Sequence, residues 1–196
     1  AWLFARSEGG SFLVRMEDLD RVQASEDHEA DQLADLAALG LDWDGEVVRQ
    51  SERFDLYEAA IARLDAAGLT YPCYCTRREI REAASAPHDG PVPDGAYPVT
   101  CRGLTPRERA EREAAGRPPA LRLRADVGPV TVDDVLLGEF SAVVDDVVLR
   151  RNDGVPAYNL AVVVDDAAQG VDQVVRGDDL ASSTPRQAHL ADLLGL

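Results

Sequence analysis

Between Pro72 and Pro106 the chain loses the hydrophobic periodicity found on either side of it, and this stretch holds six of the eleven prolines and all three cysteines. Proline fixes φ and removes a backbone donor, so no long helix or central strand can run through the segment. Something other than an apolar core must organise it. The periodic stretches before and after then read as two parts of one layered domain. The expected division is a first part over residues 1–70, an insert over 71–120 and the remainder over 121–196. With 196 residues, 45% apolar and 29% charged, the chain is long and apolar enough to bury a core.

The local signals predict an α/β fold. Trp2 to Phe4 read as helix, Gly9-Gly10 as a turn, and Ser11 to Arg15 as a strand. Ser25 is a candidate N-cap, with Ala30, Leu33, Ala34 and Ala37 at helical spacing and Gly40 as the stop. Ser51 opens a second helix that carries Tyr57, Ala60, Ile61 and Leu64 on one face. Two helices after a strand point to an α/β layer. Thr105-Pro106-Arg107-Glu108 is a capping box with proline at the first helical position. Leu121 to Arg124 alternate as a strand, Val143-Val144 and Val147 to Leu149 are strand-like, and Ser183-Thr184-Pro185 starts a last helix. Leu160 to Val164 are ambiguous: three successive valines favour strand, and helix stays open.

The 36 acidic side chains outnumber 20 basic ones, all of them arginine, for a net charge of −16. Without lysine, neither a Schiff base nor a phosphate-gripping P-loop lysine is available. No G-x-G-x-x-G, G-x-S-x-G or H-E-x-x-H occurs. No run of consecutive apolar residues exceeds five, so no membrane span is predicted. Few cysteines and no secretory pattern lead to the expectation of a cytoplasmic protein. An acidic protein binds nucleic acid poorly without specific contacts. Residues 71–124 are nevertheless +3, against −10 before and −9 after. Arg77, Arg78, Arg81, Arg102, Arg107, Arg109 and Arg112 there could address phosphates or form a solvated surface.

Cys73 and Cys75 form a C-x-C pair, with Cys101 following 26 residues after Cys75. Such a set in a proline-rich insert suits zinc, which takes four thiolate, imidazole or oxygen ligands. It equally suits three buried free thiols. His88 and Tyr97 are both candidates for a fourth ligand. Elsewhere, Arg15-Met16-Glu17-Asp18, Asp165-Asp166 and Arg176 each end an apolar stretch, where open α/β sheets bind ligands. A carboxylate such as Glu17 could hold an ammonium, and Arg176 could present its fork to a carboxylate.

In order, Gly9 to Asp20, Leu39-Gly40-Leu41-Asp42-Trp43-Asp44, Gln50-Ser51-Glu52-Arg53, Arg150 to Asp166 and Gly170 to Gly177 resemble the catalytic domain of glutamyl-tRNA synthetases, class I enzymes on a Rossmann-like fold. Within that family the chain is most similar to the short glutamyl-Q tRNA(Asp) synthetase paralogues. The resemblance implies a small zinc-binding insert with Cys73, Cys75, Tyr97 and Cys101 as ligands, preferring Tyr97 over His88. It implies that Tyr158 to Asp165 is helical. It assigns Glu17, Tyr158 and Arg176 to binding glutamate, with no protein nucleophile. Val162 stands where discriminating glutamyl-tRNA synthetases usually carry asparagine.

The implied activity is ATP-dependent, tRNA-independent activation of L-glutamate, with Mg2+ expected, followed by glutamyl transfer to queuosine at the wobble position of tRNA(Asp). The implied partners are glutamate, ATP and the tRNA(Asp) anticodon loop, met by a monomer without a membrane. The family's histidine-bearing loop after the first strand and its lysine-bearing loop after the last do not occur in these residues, so the chain reads as truncated at both ends and is expected to form no adenylate by itself. Two alternatives remain at this stage: a fragment of a discriminating glutamyl-tRNA synthetase, and a non-catalytic zinc-stabilised RNA-binding paralogue.

Overall fold

The computed structural model describes residues 1–20, 24–84 and 97–196, and the fold over them is mixed α/β. A short helix, α1 (Trp2–Ser7), leads to β1 (Arg15–Met16). Ser25 caps α2 (Glu26–Ala38) by accepting the backbone N–H of His28. β2 (Val48–Arg49) then pairs parallel with β1, so β1, α2 and β2 form a βαβ unit. A 3-10 turn at Gln50–Glu52 runs into α3 (Phe54–Ala66).

After α3 the chain enters β3 (Thr70–Cys73), makes α4 (Arg77–Ala84) and α5 (Pro106–Ala114), and returns in β4 (Ala120–Leu123). β3 and β4 pair antiparallel with Cys73 opposite Ala120, so the intervening residues leave and re-enter the sheet at one place. β5 (Val130–Asp134) and β6 (Gly138–Ala142) form a hairpin, and β7 (Val148–Arg150) adds to the far side of β4. α6 (Tyr158–Gln169) and α7 (Thr184–Leu194), with a 3-10 turn at Asp178–Ser183 between them, complete the fold. No helix among the described residues is long and apolar enough to cross a membrane.

The core lies where α3, α6 and α7 meet the β3-β4-β7 sheet. Tyr57, Ile61 and Leu64 of α3, Leu160, Ala161 and Val164 of α6, and Leu190 and Leu194 of α7 are buried with Leu123 and Leu149. Each fully buried large side chain contributes about 1.5–3 kcal/mol. A second, smaller cluster holds Tyr71, Cys73, Tyr74, Tyr97 and Cys101.

Local sequence overextends the strands: of the predicted Ser11 to Arg15, only Arg15 lies in β1. Leu160 to Val164, ambiguous between strand and helix on local grounds, are helical, as the family resemblance implies, and all five are buried. A face packed on α3 and α7 outweighs the modest β preference of valine, and Gly170, at φ 69°, ends the helix. Val143-Val144 are not in a strand, since β6 stops at Ala142. Past that point Asp145 and Asp146 supply side-chain acceptors to other segments in place of a ladder. Asp146 accepts the Ala125 N–H at 2.9 Å and the Tyr71 hydroxyl at 2.6 Å.

Candidate functional site

The carboxyl end of β1 delivers Arg15 and Glu17 to the later turns of α6. Arg15 Nη1 donates to Asp166 Oδ1 and to Gln169 Oε1, each at 2.8 Å. Its Nη2 stands 3.7 Å from Glu17, and its Nε stands 3.7 Å from Asp165. Asp165 is fully buried and accepts from Arg53 Nε at 2.6 Å, Gln50 Nε2 at 2.9 Å and the Tyr57 hydroxyl at 2.8 Å. The paired groups here are two guanidiniums, Arg15 and Arg53, against three carboxylates, Glu17, Asp165 and Asp166. One negative charge is left over, and Glu17, with 46% of its side chain exposed, is the most accessible of the three. Burial lifts the Glu17 carboxyl above its ordinary range; Arg15 opposes that, and Asp166 and Asp165 reinforce it.

At the other end of α6 a guanidinium stands without a direct ion pair, with Asp134 acting on it only through space. Arg176 donates from Nη1 to Gln187 Oε1 and from Nη2 to Thr184 Oγ1, both at 2.6 Å. Gln187 Nε2 in turn donates to Asn159 Oδ1 at 3.0 Å, beside Tyr158 in the first turn of α6. Among the described residues no carboxylate lies within ion-pair distance of Arg176. Asn159 and Asp166 are seven residues apart on one side of the helix, about 10 Å along its axis. The α6 dipole adds positive potential near Arg176 and negative potential near Glu17.

Glu17, Tyr158 and Arg176 make no hydrogen bond or ion pair with one another; what they share is α6. Tyr158 is 41% exposed at its start. Val162 is buried one turn along. An apolar cavity of about 250 Å³, walled by Leu56, Ala60, Arg63, Val164 and Leu194 among others, includes none of the three.

The cysteines converge. Cys73, Cys75 and Cys101 lie within 4.8 Å of one another through their sulfurs, and Cys75 and Cys101 are 3.4 Å apart. The Tyr97 hydroxyl is 3.3 Å from the Cys73 sulfur and 3.6 Å from that of Cys75. Ligands about 2.3 Å from a tetrahedral ion are separated by roughly 3.7 Å, so three sulfurs and one oxygen this close can close around a metal. The Cys73–Cys101 hydrogen bond draws the Cys101 thiol below its ordinary range and lifts Cys73 above it, with burial adding to the latter. Burial also lifts the Tyr97 phenol. The Arg122 guanidinium, itself buried, stacks 3.7 Å from the centre of the Tyr97 ring and supplies positive charge beside a ligand set that would carry excess negative charge. His88 lies outside the described residues.

The arginine-rich island is partly structural. Arg78 pairs with Glu82 and Arg107 with Glu111 along their own helices, while Arg102 pairs with Asp126 and stands 3.7 Å from Asp146. The Arg81 side chain lies outside the described residues. Sequence reasoning missed the roles of Arg53, Tyr57 and Gln187. Arg53 occurs in a motif that resembles the family, but Tyr57 shares its helical face with core residues and Gln187 has no distinguishing neighbours.

Residues 1–196 match the family model for the catalytic domain of class I tRNA synthetases, E and Q type. The chain belongs to this family. Its fold is accordingly the α/β, Rossmann-like catalytic fold of class I synthetases. It is 67% identical over 196 residues to a glutamyl-Q tRNA(Asp) synthetase of Nocardia farcinica, covering all of this chain and 61% of that protein. A protein of the same description from Cutibacterium acnes is 57% identical, with 100% and 55% covered. The chain thus spans about three-fifths of the length of these curated relatives. The crystal structure of a glutamate–tRNA synthetase from Elizabethkingia anophelis superposes with a TM-score of 0.81 at 26% identity, over 99% of this chain and 43% of the other.

Proposed function

We propose that this chain forms the glutamate-binding part of a glutamyl-Q tRNA(Asp) synthetase. In that reading, Glu17 holds the α-ammonium of L-glutamate, and Arg176 grips its side-chain carboxylate with Tyr158 alongside. The observation that carries the reading is the pairing, at the two ends of α6, of the partly exposed Glu17 carboxylate with an Arg176 guanidinium that has no direct ion pair. A zwitterionic amino acid with a second carboxylate satisfies both at once. Glutamine offers no anion to Arg176, and an unpaired guanidinium in a half-buried site makes that loss costly.

With its two ends held, glutamate presents its α-carboxylate to the α-phosphorus of ATP. A carboxylate oxygen attacks, pyrophosphate leaves, and glutamyl-adenylate forms; Mg2+ accompanies the ATP. A hydroxyl of the queuosine cyclopentene-diol then attacks the acyl carbon and AMP departs. No protein nucleophile is needed, because positioning and charge stabilisation suffice. The protein's own contribution here is to fix glutamate between Glu17 and Arg176. The insert over 71–120 is proposed to hold structural Zn2+ through Cys73, Cys75, Tyr97 and Cys101, the four groups that converge to tetrahedral spacing.

The test uses the full-length gene product that carries this chain, with ATP and labelled glutamate. Glutamate-dependent ATP–pyrophosphate exchange without tRNA, and label transferred to queuosine-bearing tRNA(Asp), are expected. Label on the 3′ end of unmodified tRNA(Glu) instead identifies a discriminating glutamyl-tRNA synthetase. Absence of exchange with glutamate leaves a non-catalytic RNA-binding paralogue.

A further inference from the structure

Among the described residues, several half-buried arginines are held by carboxylates: Arg15 by Asp166, Arg53 by Asp165, Arg186 by Asp145. Arg176 is held by neutral groups alone, the Gln187 amide oxygen and the Thr184 hydroxyl, both in the first turn of α7. The difference bears on charge. A carboxylate at either position would orient the guanidinium equally well but would cancel its charge. The amide and hydroxyl orient it without a direct ion pair, and Asp134 acts on it only through space. Two of its five donors are used, so three remain, enough for a bidentate grip on an incoming anion. The N-terminal end of α7 adds its own positive potential at the same place.

The amide must also face the right way, since a flipped Gln187 would point its NH2 at the guanidinium. Asn159 Oδ1 prevents this by accepting from Gln187 Nε2 at 3.0 Å. Because Asn159 adjoins Tyr158, the relay ties the direction of Arg176 to the first turn of α6.

We infer that Gln187, with its amide fixed by Asn159, is a positioning and specificity-determining residue, aiming Arg176 at a substrate carboxylate while keeping its guanidinium free of a direct ion pair. The inference rests on the reading of Arg176 as the arginine that binds the glutamate side chain. It makes Gln187 the residue through which preference for glutamate over glutamine can be adjusted without touching the substrate.

The experiment is calorimetric titration of glutamate and, separately, glutamine into the protein and into its Gln187→Glu and Gln187→Met variants, with thermal midpoints to verify folding. Gln187→Glu keeps size and an acceptor but neutralises Arg176, so glutamate affinity falls on the order of tenfold or more while glutamine binding changes little. Gln187→Met loses both hydrogen bonds but leaves the charge, and its loss for glutamate is the smaller. A packing role predicts the reverse order, since Met is the less conservative change. Unchanged glutamate affinity in Gln187→Glu, a larger loss in Gln187→Met, or equal losses for both amino acids overturns the inference. No glutamate binding by the unsubstituted protein overturns the reading of the Arg176 site itself, and the Gln187 role with it.

Discussion

Arg53 Nε donates to Asp165 Oδ1 at 2.6 Å, fastening the residue that precedes α3 to a fully buried carboxylate of α6. Gln50 and Tyr57 occupy the other oxygen, so one side chain on α6 gathers the 3-10 turn after β2, the start of α3 and, through Arg15, the end of β1. Removing one member of a buried ion pair costs far more than the pair itself contributes, because the partner charge is stranded. Asp165→Ala is therefore expected to destabilise by about 3–5 kcal/mol. Asp165→Asn, which keeps the shape and loses the charge, is expected to cost less. Urea midpoints measure both; an Asp165→Ala midpoint equal to the parent's would rule out this central role.

Local signals were legible wherever neighbours in sequence decide the structure. The Ser25 cap, the capping box at Thr105 and the core face of α3 follow from spacing alone, and all three are present. What spacing could not give was decided by partners far along the chain. Arg122 alternates with leucines in β4 and reads as outward-facing, yet it is buried because the Tyr97 ring covers it. Leu160 to Val164 are ambiguous by local pattern, and the packing surface of α3 and α7 decides for helix. Glu17, Asp165 and Arg176 stood out as charges ending apolar stretches. That Arg15 and Arg53 take up the carboxylates near Glu17 while neutral Gln187 holds Arg176 became visible only in the fold.

In the capping box, the Thr105 hydroxyl accepts the Glu108 N–H while Glu108 accepts the Thr105 N–H at 2.8 Å. α5 has no buried residue, so no core packing compensates for losing this cap. Thr105→Ala is expected to cost about 1 kcal/mol in total stability or to fray α5 locally. Faster amide hydrogen exchange confined to α5 distinguishes the second outcome.

Glu17 gives a pH prediction. Its carboxyl is lifted chiefly by burial, so between its ordinary value and the lifted one the native state holds a proton that the unfolded chain has released. Stability from this group is present below the ordinary carboxylate range and lost as pH rises through the lifted value. Glu17→Gln removes the loss. The variant is expected to gain stability relative to the parent as pH rises above the ordinary carboxylate range, while losing affinity for glutamate. A stability difference that does not vary with pH above the ordinary carboxylate range would remove Glu17 from any strained, ligand-ready role.

Asp145 joins the cysteine cluster to α7: it accepts the Tyr97 backbone N–H at 3.2 Å through one oxygen and Arg186 Nε at 2.5 Å through the other. With zinc as the proposed occupant, the tyrosine ligand is held in place from behind by a carboxylate that is itself fixed by the helix carrying Gln187. Loss of a supporting group of this kind typically costs about 10–100-fold in metal affinity. Asp145→Ala is expected to fall in that range, measured by competition with a chromophoric chelator. Tyr97→Phe, which deletes the fourth donor while keeping the ring under Arg122, is expected to weaken zinc further while retaining the fold. Because Arg186 loses its partner in Asp145→Ala, that variant alone is also expected to weaken glutamate binding through α7. Equal glutamate affinity in Asp145→Ala and the parent would confine Asp145 to the metal site.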